Sequence, residues 1–276
     1  MNNTVVRSLS GLVFLAVMIG CLLGGRPWFT PLFLVIDALM LTEFYRMTLG
    51  KEHKGLQWLS IGIALIAFVL VSLVTGPTQL PTRYLSLIPL MLVVLLVVMV
   101  FCHKDFKEYA FLLAGLAYIG VPMALSPVVV SQPDGGYSGI LMLSFFILIW
   151  ASDTGAYCFG MLLGQKLWPA RLCPDISPKK SWAGAVGGLL VTLLAAWILH
   201  CVGWLPFPPV HVFALAVVMN FFGVCGDLFE SLWKRSFGLK DSGNVIPGHG
   251  GVLDRFDSAL FAIPAGTVYL ICFGLI

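Results

Sequence analysis

Tyr84–Cys102 reads YLSLIPLMLVVLLVVMVFC, with no charged side chain along its length. A helix needs about 20 apolar residues to cross the hydrocarbon core of a bilayer, so this stretch predicts a membrane span. Similar runs lie on either side, at roughly 9–25, 28–48, 57–76, 108–130, 138–163, 182–200, 210–235 and 255–276. With 84–102 they make nine. Turn-forming clusters punctuate them: Gly24-Gly25-Arg26-Pro27, Gly76-Pro77, Gln132-Pro133-Asp134-Gly135-Gly136 and Pro206-Phe207-Pro208-Pro209. The fold class expected is therefore all-α, a polytopic integral membrane protein forming one membrane domain over residues 1–276.

Composition agrees. The 276-residue chain is 59% apolar and 11% charged, with a mean hydropathy of +0.97. A soluble domain carries about 25% charged residues, so this chain lacks the polar surface to stay in water. Its seven cysteines are scattered, mostly in apolar runs, and none has the paired spacing of a zinc or redox site. The first run follows a single Arg7 and lacks a small-residue cleavage motif, so it is read as a retained helix. Nothing in the chain suggests a nucleic-acid partner.

Basic residues orient the helices, because cytoplasmic loops are enriched in Lys and Arg. With the amino terminus inside, the inner set is Arg7; Arg46, Lys51 and Lys54; Lys104 and Lys107; Lys166, Arg171, Lys179 and Lys180; and Lys234, Arg235, Lys240 and Arg255. Only Arg26 and Arg83 fall outside, a split of fourteen against two. Merging or dividing a middle helix would scramble that split. The amino terminus is expected in the cytoplasm and the carboxyl terminus outside.

Polar chemistry concentrates on the cytoplasmic side. Between Asp227 and Asp257 fall five acidic, four basic and one imidazole side chain. Ionisable groups near lipid are costly and usually line a functional cavity. Asn220, Asp227, Ser231 and Lys234 recur at spacings that share one helix face, with Glu230 at its edge. Pro247-Gly248-His249-Gly250-Gly251 has little side-chain bulk, so its backbone can approach an anion closely. Lys240 and Arg255 add positive charge, while Asp254 and Asp257 begin the last helix. A third group comprises SDTGAYCFG (Ser152–Gly160), with Asp153 and Tyr157 one turn apart, and SPKKSWAG (Ser177–Gly184), where Lys179, Lys180 and Ser181 precede a helix. Acidic oxygen ligands, basic clamps and a glycine-rich loop suit Mg²⁺ with substrate phosphates. They favour phosphoryl or nucleotidyl transfer on a lipid headgroup.

Each feature also has a plainer reading. Lys179, Lys180, Lys234 and Arg235 satisfy the topology rule by themselves. Asp254 complements a helix dipole. Asp227 could form a structural ion pair with Lys234, and Gly155, Gly160 and Gly164 suit close helix packing. Asp37, near the middle of the second span, has no evident partner.

The stretch Ser231–Asp257, SLWKRSFGLKDSGNVIPGHGGVLDRFD, resembles the signature of phosphatidate cytidylyltransferases, also called CDP-diacylglycerol synthases. SDTGAY and SPKKSW resemble that family's two upstream motifs in the correct order, and EFYRM (Glu43–Met47) resembles its short motif after the second helix. The likeness is specific over Ser152–Asp257 and loose over the first 130 residues, so residues 136–276 are read as the catalytic part and 1–135 as supporting helices. Trp233 stands where the signature has an aliphatic residue or Phe, and Ala183 where Glu or Gln is frequent.

The resemblance implies transfer of CMP from CTP to phosphatidate, at the cytoplasmic side of a bacterial inner membrane. It implies Mg²⁺ on Asp227 and Asp254, admits a second cation, and implies a homodimer. Lys240 joins the two acids as a catalytic candidate. Lys179, Lys180, Ser181, Lys234, Arg235, His249, Gly250, Gly251 and Arg255 would meet substrate phosphates, with Asp153, Asp241 and Asp257 in reserve. Two other functions fit parts of the pattern: a CTP-dependent kinase of a lipid alcohol, and a transporter using Asp37, Asp153 and Asp227.

Overall fold

The computed structural model describes residues 3–50, 54–102, 106–164, 169–243, 245–246 and 250–276. Lys51, Lys104, Lys166 and His249, each given a place above, lie outside them. The chain is helical almost throughout: α1 Asn3–Leu23, α2 Arg26–Thr48, α3 Lys54–Thr75, α4 Leu87–Cys102, α5 Phe106–Gly115, α6 Val121–Val130, α7 Ile140–Leu162, α8 Trp182–Cys201, α9 Pro209–Ser236 and α10 Leu253–Cys272. One antiparallel hairpin interrupts them, β1 Arg171–Cys173 and β2 Ser177–Ser181. The sequence reading had not anticipated it, although Pro174-Asp175 at its tip is a turn signal.

Among the described residues, seven helices are long and apolar enough to cross a membrane, α5 and α6 joining into one of them, Glu108–Val130. This is an integral membrane protein. α1 supplies a shorter apolar stretch, Leu9–Leu23, and α10 opens with Asp254, Arg255 and Asp257 in its first turns. These two make up the difference between seven and the nine expected.

The chain falls into two units: Met1–Gly139 with Asp241–Arg255, and Ile140–Lys240 with Phe256–Ile276. The first is built on α2. Its Phe29, Phe33, Phe44 and Tyr45 are fully buried with Phe68 of α3. At the start of α2 the Arg26 guanidinium donates to Ser131 Oγ and to the Gly136 carbonyl, both at 3.2 Å, and lies over the Tyr137 ring. Tyr137 donates to the Leu22 carbonyl at 2.8 Å. Burial pushes its phenol pKa up to about 12, partly offset by Arg26, so it stays a donor at neutral pH. One loop-and-helix-end cluster is thereby pinned by a single Arg.

Further along α2, the Tyr45 hydroxyl donates to the Leu112 carbonyl at 3.0 Å, so Ser60 is the donor in their 2.6 Å bond. Tyr45 fits because Gly115 has no side chain: a Cβ there would stand 2.5 Å from the ring. Immediately after, Leu116–Gly120 forms a π turn ahead of Pro122, whose ring nitrogen cannot donate to the preceding turn. Asp37 is fully buried, and neither carboxyl oxygen has a hydrogen-bond partner among the described residues.

The second unit rests on tight packing of α7 against α8. A Cβ on Gly155 would meet the Gly187 carbonyl at 2.8 Å, and one on Gly188 the Ser152 carbonyl at 2.9 Å. Backbones this close need small residues, as expected between helices that share no water to expel. α9 joins them through Asn220, whose amide donates to Ser152 Oγ at 2.7 Å. Phe229 of α9 meets Phe261 of α10 at a ring-centroid distance of 5.2 Å.

Candidate active site

The Ile140–Lys240 segment encloses a cavity of about 340 Å³, within the size range of small-molecule sites. Its polar lining comes from three separate sequence stretches. Asp153 and Tyr157 stand near the end of α7, Lys179, Lys180 and Ser181 come from β2, and Asp227 projects from α9. The two upstream motifs and the α9 acid thus meet in one place, which their separation in sequence does not require.

Local structure explains the convergence. Ser181 is the N-cap of α8, its hydroxyl accepting from Gly184 N at 3.1 Å. The hairpin that precedes this cap is anchored by Trp182 N, which donates to the Ala170 carbonyl at 3.0 Å. Lys180 is delivered to α9, where Nζ lies 2.6 Å from Asp227 Oδ2. Both side chains keep partial exposure, 24% and 33%, so the pair faces the cavity and solvent. Ser231 Oγ is 3.5 Å from Asp227 Oδ1, at the weak limit of a hydrogen bond.

The structure answers the plainer reading of Asp227. Its ion-pair partner is Lys180, and Lys234 instead places Nζ 2.6 Å from Glu230 Oε2. Glu230 is fully buried, and a carboxylate without water needs a counter-charge. Lys234, expected on a phosphate, makes this ion pair with a neighbour on its own helix. Ser181, expected likewise, accepts the α8 cap bond at its hydroxyl oxygen, and its O–H proton can still donate. Trp233 stacks on Phe237 and meets Phe229 edge-on, extending an aromatic row down α9, and Ala183 is buried.

Asp257 joins the acids of this unit. The charges it feels are those of Asp227, Asp153 and Lys234, and its Oδ1 accepts from Ser258 N at 2.6 Å. Gly226 makes this crossing of α9 and α10 close, since a Cβ there would run into the Asp257 carbonyl oxygen.

The other acidic group lies in the first unit. Asp254 Oδ2 accepts three bonds, from Ser242 N (3.0 Å), Ser242 Oγ (2.9 Å) and Gly251 N (2.8 Å). Gly251, expected at a phosphate, thus has its N–H on Asp254. Gly250 has φ +84°, where only glycine sits without strain, and a Cβ there would stand 2.8 Å from the same Oδ2. Glu43 of α2 completes the cluster with bonds to Ser242 Oγ (3.2 Å), Val252 N (3.0 Å) and Leu253 N (2.9 Å). Sequence reasoning quoted Glu43 within EFYRM and gave it no task. An acid at the end of an apolar helix was the available signal. Lys240, Asp241 and Arg255 are exposed, and Arg235 is exposed with Nη1 on the Leu239 carbonyl at 3.2 Å.

Among the described residues, no three His, Cys, Asp or Glu side chains form a ready metal cage. Mg²⁺ asks for less, usually one or two carboxylates completed by phosphates and water. Asp227 already receives a cation, the Lys180 ammonium, at Oδ2. Asp227, a hard oxygen donor lining the cavity together with Asp153, fits such an ion.

Comparison with known proteins gives a consistent result. The sequence pattern of the cytidylyltransferase family matches residues 5–273. A phosphatidate cytidylyltransferase of Bacillus subtilis is 33% identical over 267 residues, covering 94% of each chain. One from Staphylococcus epidermidis is 33% identical over 275 residues, covering 96% of this chain and 98% of its own. Another, from Staphylococcus aureus, is 32% identical over 274 residues with the same coverage.

Proposed function

This chain belongs to the cytidylyltransferase family, and from that premise we propose how its residues divide the work. The protein is a membrane-bound nucleotidyltransferase that uses CTP and phosphatidate to make CDP-diacylglycerol and pyrophosphate. In our reading, a phosphatidate oxygen attacks the α-phosphorus of CTP in line. The bond from that phosphorus to the oxygen bridging the β-phosphate breaks, and pyrophosphate leaves with the bonding electrons. No covalent enzyme intermediate is needed, because both substrates bring the reacting groups.

The physical problem is to bring two polyanions together. Preorganised positive charge in a site of restricted water is the usual answer. Lys179 and Lys180 line the cavity and serve the triphosphate. Lys240, Arg235 and Arg255, which are exposed, supply further charge to CTP or to the lipid headgroup, and His249 and Gly250 are assigned to the same phosphates. Asp227 in one unit and Asp254 in the other are each proposed as Mg²⁺ ligands, and a bound ion would supply charge neutralisation to the triphosphate. Asp153 and Asp257 are the reserve ligands for a second cation, and Asp241 orients the loop. The observation that carries this division is the Lys180–Asp227 pair inside a cavity shared with Asp153.

We place this chemistry at the cytoplasmic face of a bacterial inner membrane, in a single membrane domain of nine spans that works as a homodimer. The charge distribution supports the orientation. The deciding experiment gives the purified protein in lipid CTP labelled at the α-phosphate, with phosphatidate or a lipid alcohol as acceptor. Label should enter the phosphatidate product with release of pyrophosphate, EDTA should stop it, and Mg²⁺ should restore it. Free CDP without pyrophosphate would select the kinase instead.

A further inference from the structure

Glu43 is buried, 5% exposed, yet no basic side chain meets its carboxylate in the bonds it makes. What it meets is the backbone that opens α10. Oε1 accepts from Val252 N, and Oε2 accepts from Leu253 N and from Ser242 Oγ. The first N–H groups of a helix have no partner within it, and a carboxylate there is favoured by the helix dipole. The acid that caps α10 therefore comes from α2, some two hundred residues upstream. Ser242 carries the connection onward, since its hydroxyl is 3.2 Å from Glu43 and 2.9 Å from Asp254. A hydroxyl has one proton to give, so it donates to one carboxylate at a time and ties the positions of both.

Space around the clamp is fully used. A Cβ on Gly243 would stand 2.6 Å from Glu43 Oε1, and one on Gly251 would stand 2.5 Å from Oε2. Two loop glycines thus exist to let this one carboxylate in. We propose that Glu43 is a positioning residue for the reaction: it fixes Ser242 and the Val252–Leu253 backbone and thereby the orientation of Asp254, without touching substrate. This deepens the functional reading above, since it rests on Asp254 serving the transfer step.

The conservative variant Glu43→Gln keeps the volume but turns an NH₂ group toward a backbone donor. Hydrogen–deuterium exchange on the protein in nanodiscs, without CTP or lipid substrate, reads the clamp directly. Peptides covering 241–256 should exchange at least tenfold faster in Glu43→Gln, while peptides from α8 and α9 keep their wild-type rates. In turnover assays kcat should fall tenfold or more, with KM for phosphatidate within twofold of wild type, and Glu43→Asp should recover part of the loss. Wild-type exchange in the loop, or wild-type kcat, would overturn the proposal. So would faster exchange through every helix together, which would make Glu43 a general prop of the fold. Should Glu43→Gln fail to accumulate, Ser242→Ala decides: faster loop exchange with reduced kcat supports the clamp, and wild-type values for both reject it. The exchange result stands whatever product the wild-type protein makes from CTP, so the clamp and the reaction fail separately.

Discussion

Lys180 and Asp227 meet at 2.6 Å from two elements that the sequence holds 47 positions apart. Replacing the acid tests the metal and charge role most directly. Asp227→Asn keeps size and hydrogen bonding, so the protein should insert and accumulate while kcat falls by about 10³. Lys180→Ala should lower kcat by roughly 10²–10³ and raise KM for CTP, as expected when one preorganised charge is lost from a transition state. Steady-state kinetics of the two variants check both. Lys234→Ala belongs to a different class. It strips the counter-charge from buried Glu230, and breaking a buried pair costs on the order of 3–5 kcal/mol. Its thermal unfolding midpoint in detergent should drop, while KM for CTP of the surviving protein stays near wild type. At this scale the sequence singled out Asp227, because an acid on an apolar helix stands out against its neighbours. Helix spacing offers Asp227 only Lys234 as an ion-pair partner, and nothing local reveals that a hairpin lysine, Lys180, takes that place. Glu43 was missed for a similar reason, since its partners are backbone N–H groups, which leave no trace in residue identity.

Helix packing in this protein depends on where side chains are absent. α7 and α8 approach until Gly187 faces Phe159 with no room for a Cβ. Gly187→Val should therefore lower the unfolding midpoint, since forcing atoms into a packed contact costs about 1–3 kcal/mol. It should also reduce activity, because Ser181 and Asp153 are carried by the same two helices. Gly62 of α3 offers the control: a Cβ there meets nothing within 4 Å. Gly62→Ala should leave stability unchanged or slightly raised, as alanine favours helix by up to about 1 kcal/mol. Thermal denaturation followed by fluorescence separates the two outcomes. Span positions were legible at this scale because apolar length and turn clusters such as Gly24-Gly25 report them directly. The π turn at Leu116–Gly120 was not. Pro122 removes one donor, but the fit of the Tyr45 ring against Gly115 is a matter of tertiary packing. The β1–β2 hairpin escaped because three-residue and five-residue strands are too short for an alternation pattern to declare itself.

For the whole molecule, the decisive quantity is the parity of membrane crossings. Within the first unit, Glu43 near the end of α2 binds the amides that open α10, so those two helix ends share one face of the membrane. Between them lie α3, α4, the joined α5–α6, α7, α8 and α9, an even number of spans, which fits. Arg26 at the opposite end of α2 binds Ser131 and Gly136, after α6, which also fits if α3, α4 and α5–α6 each cross once. In the second unit, the end of α7, the start of α8 and the end of α9 meet at the Asp227 cavity, the same alternation again. Among the described residues, length and hydropathy of the helices give seven spans, because α1 supplies a shorter apolar stretch and α10 begins with charge. Positive charge and these polar contacts together predict the nine-span arrangement with the amino terminus inside. Fusions that fluoresce only in the cytoplasm should do so after Leu49 and after Lys240. An enzyme reporter active only outside the inner membrane should work after Gln132 and after Ile276. A cytoplasmic signal at Ile276 with the others as stated would leave α10 as a helix that enters without crossing, and would reduce the spans to eight. A cytoplasmic signal at Gln132 would be more damaging, since Arg26 and Glu43 would then bind partners on faces that one straight α2 cannot reach together.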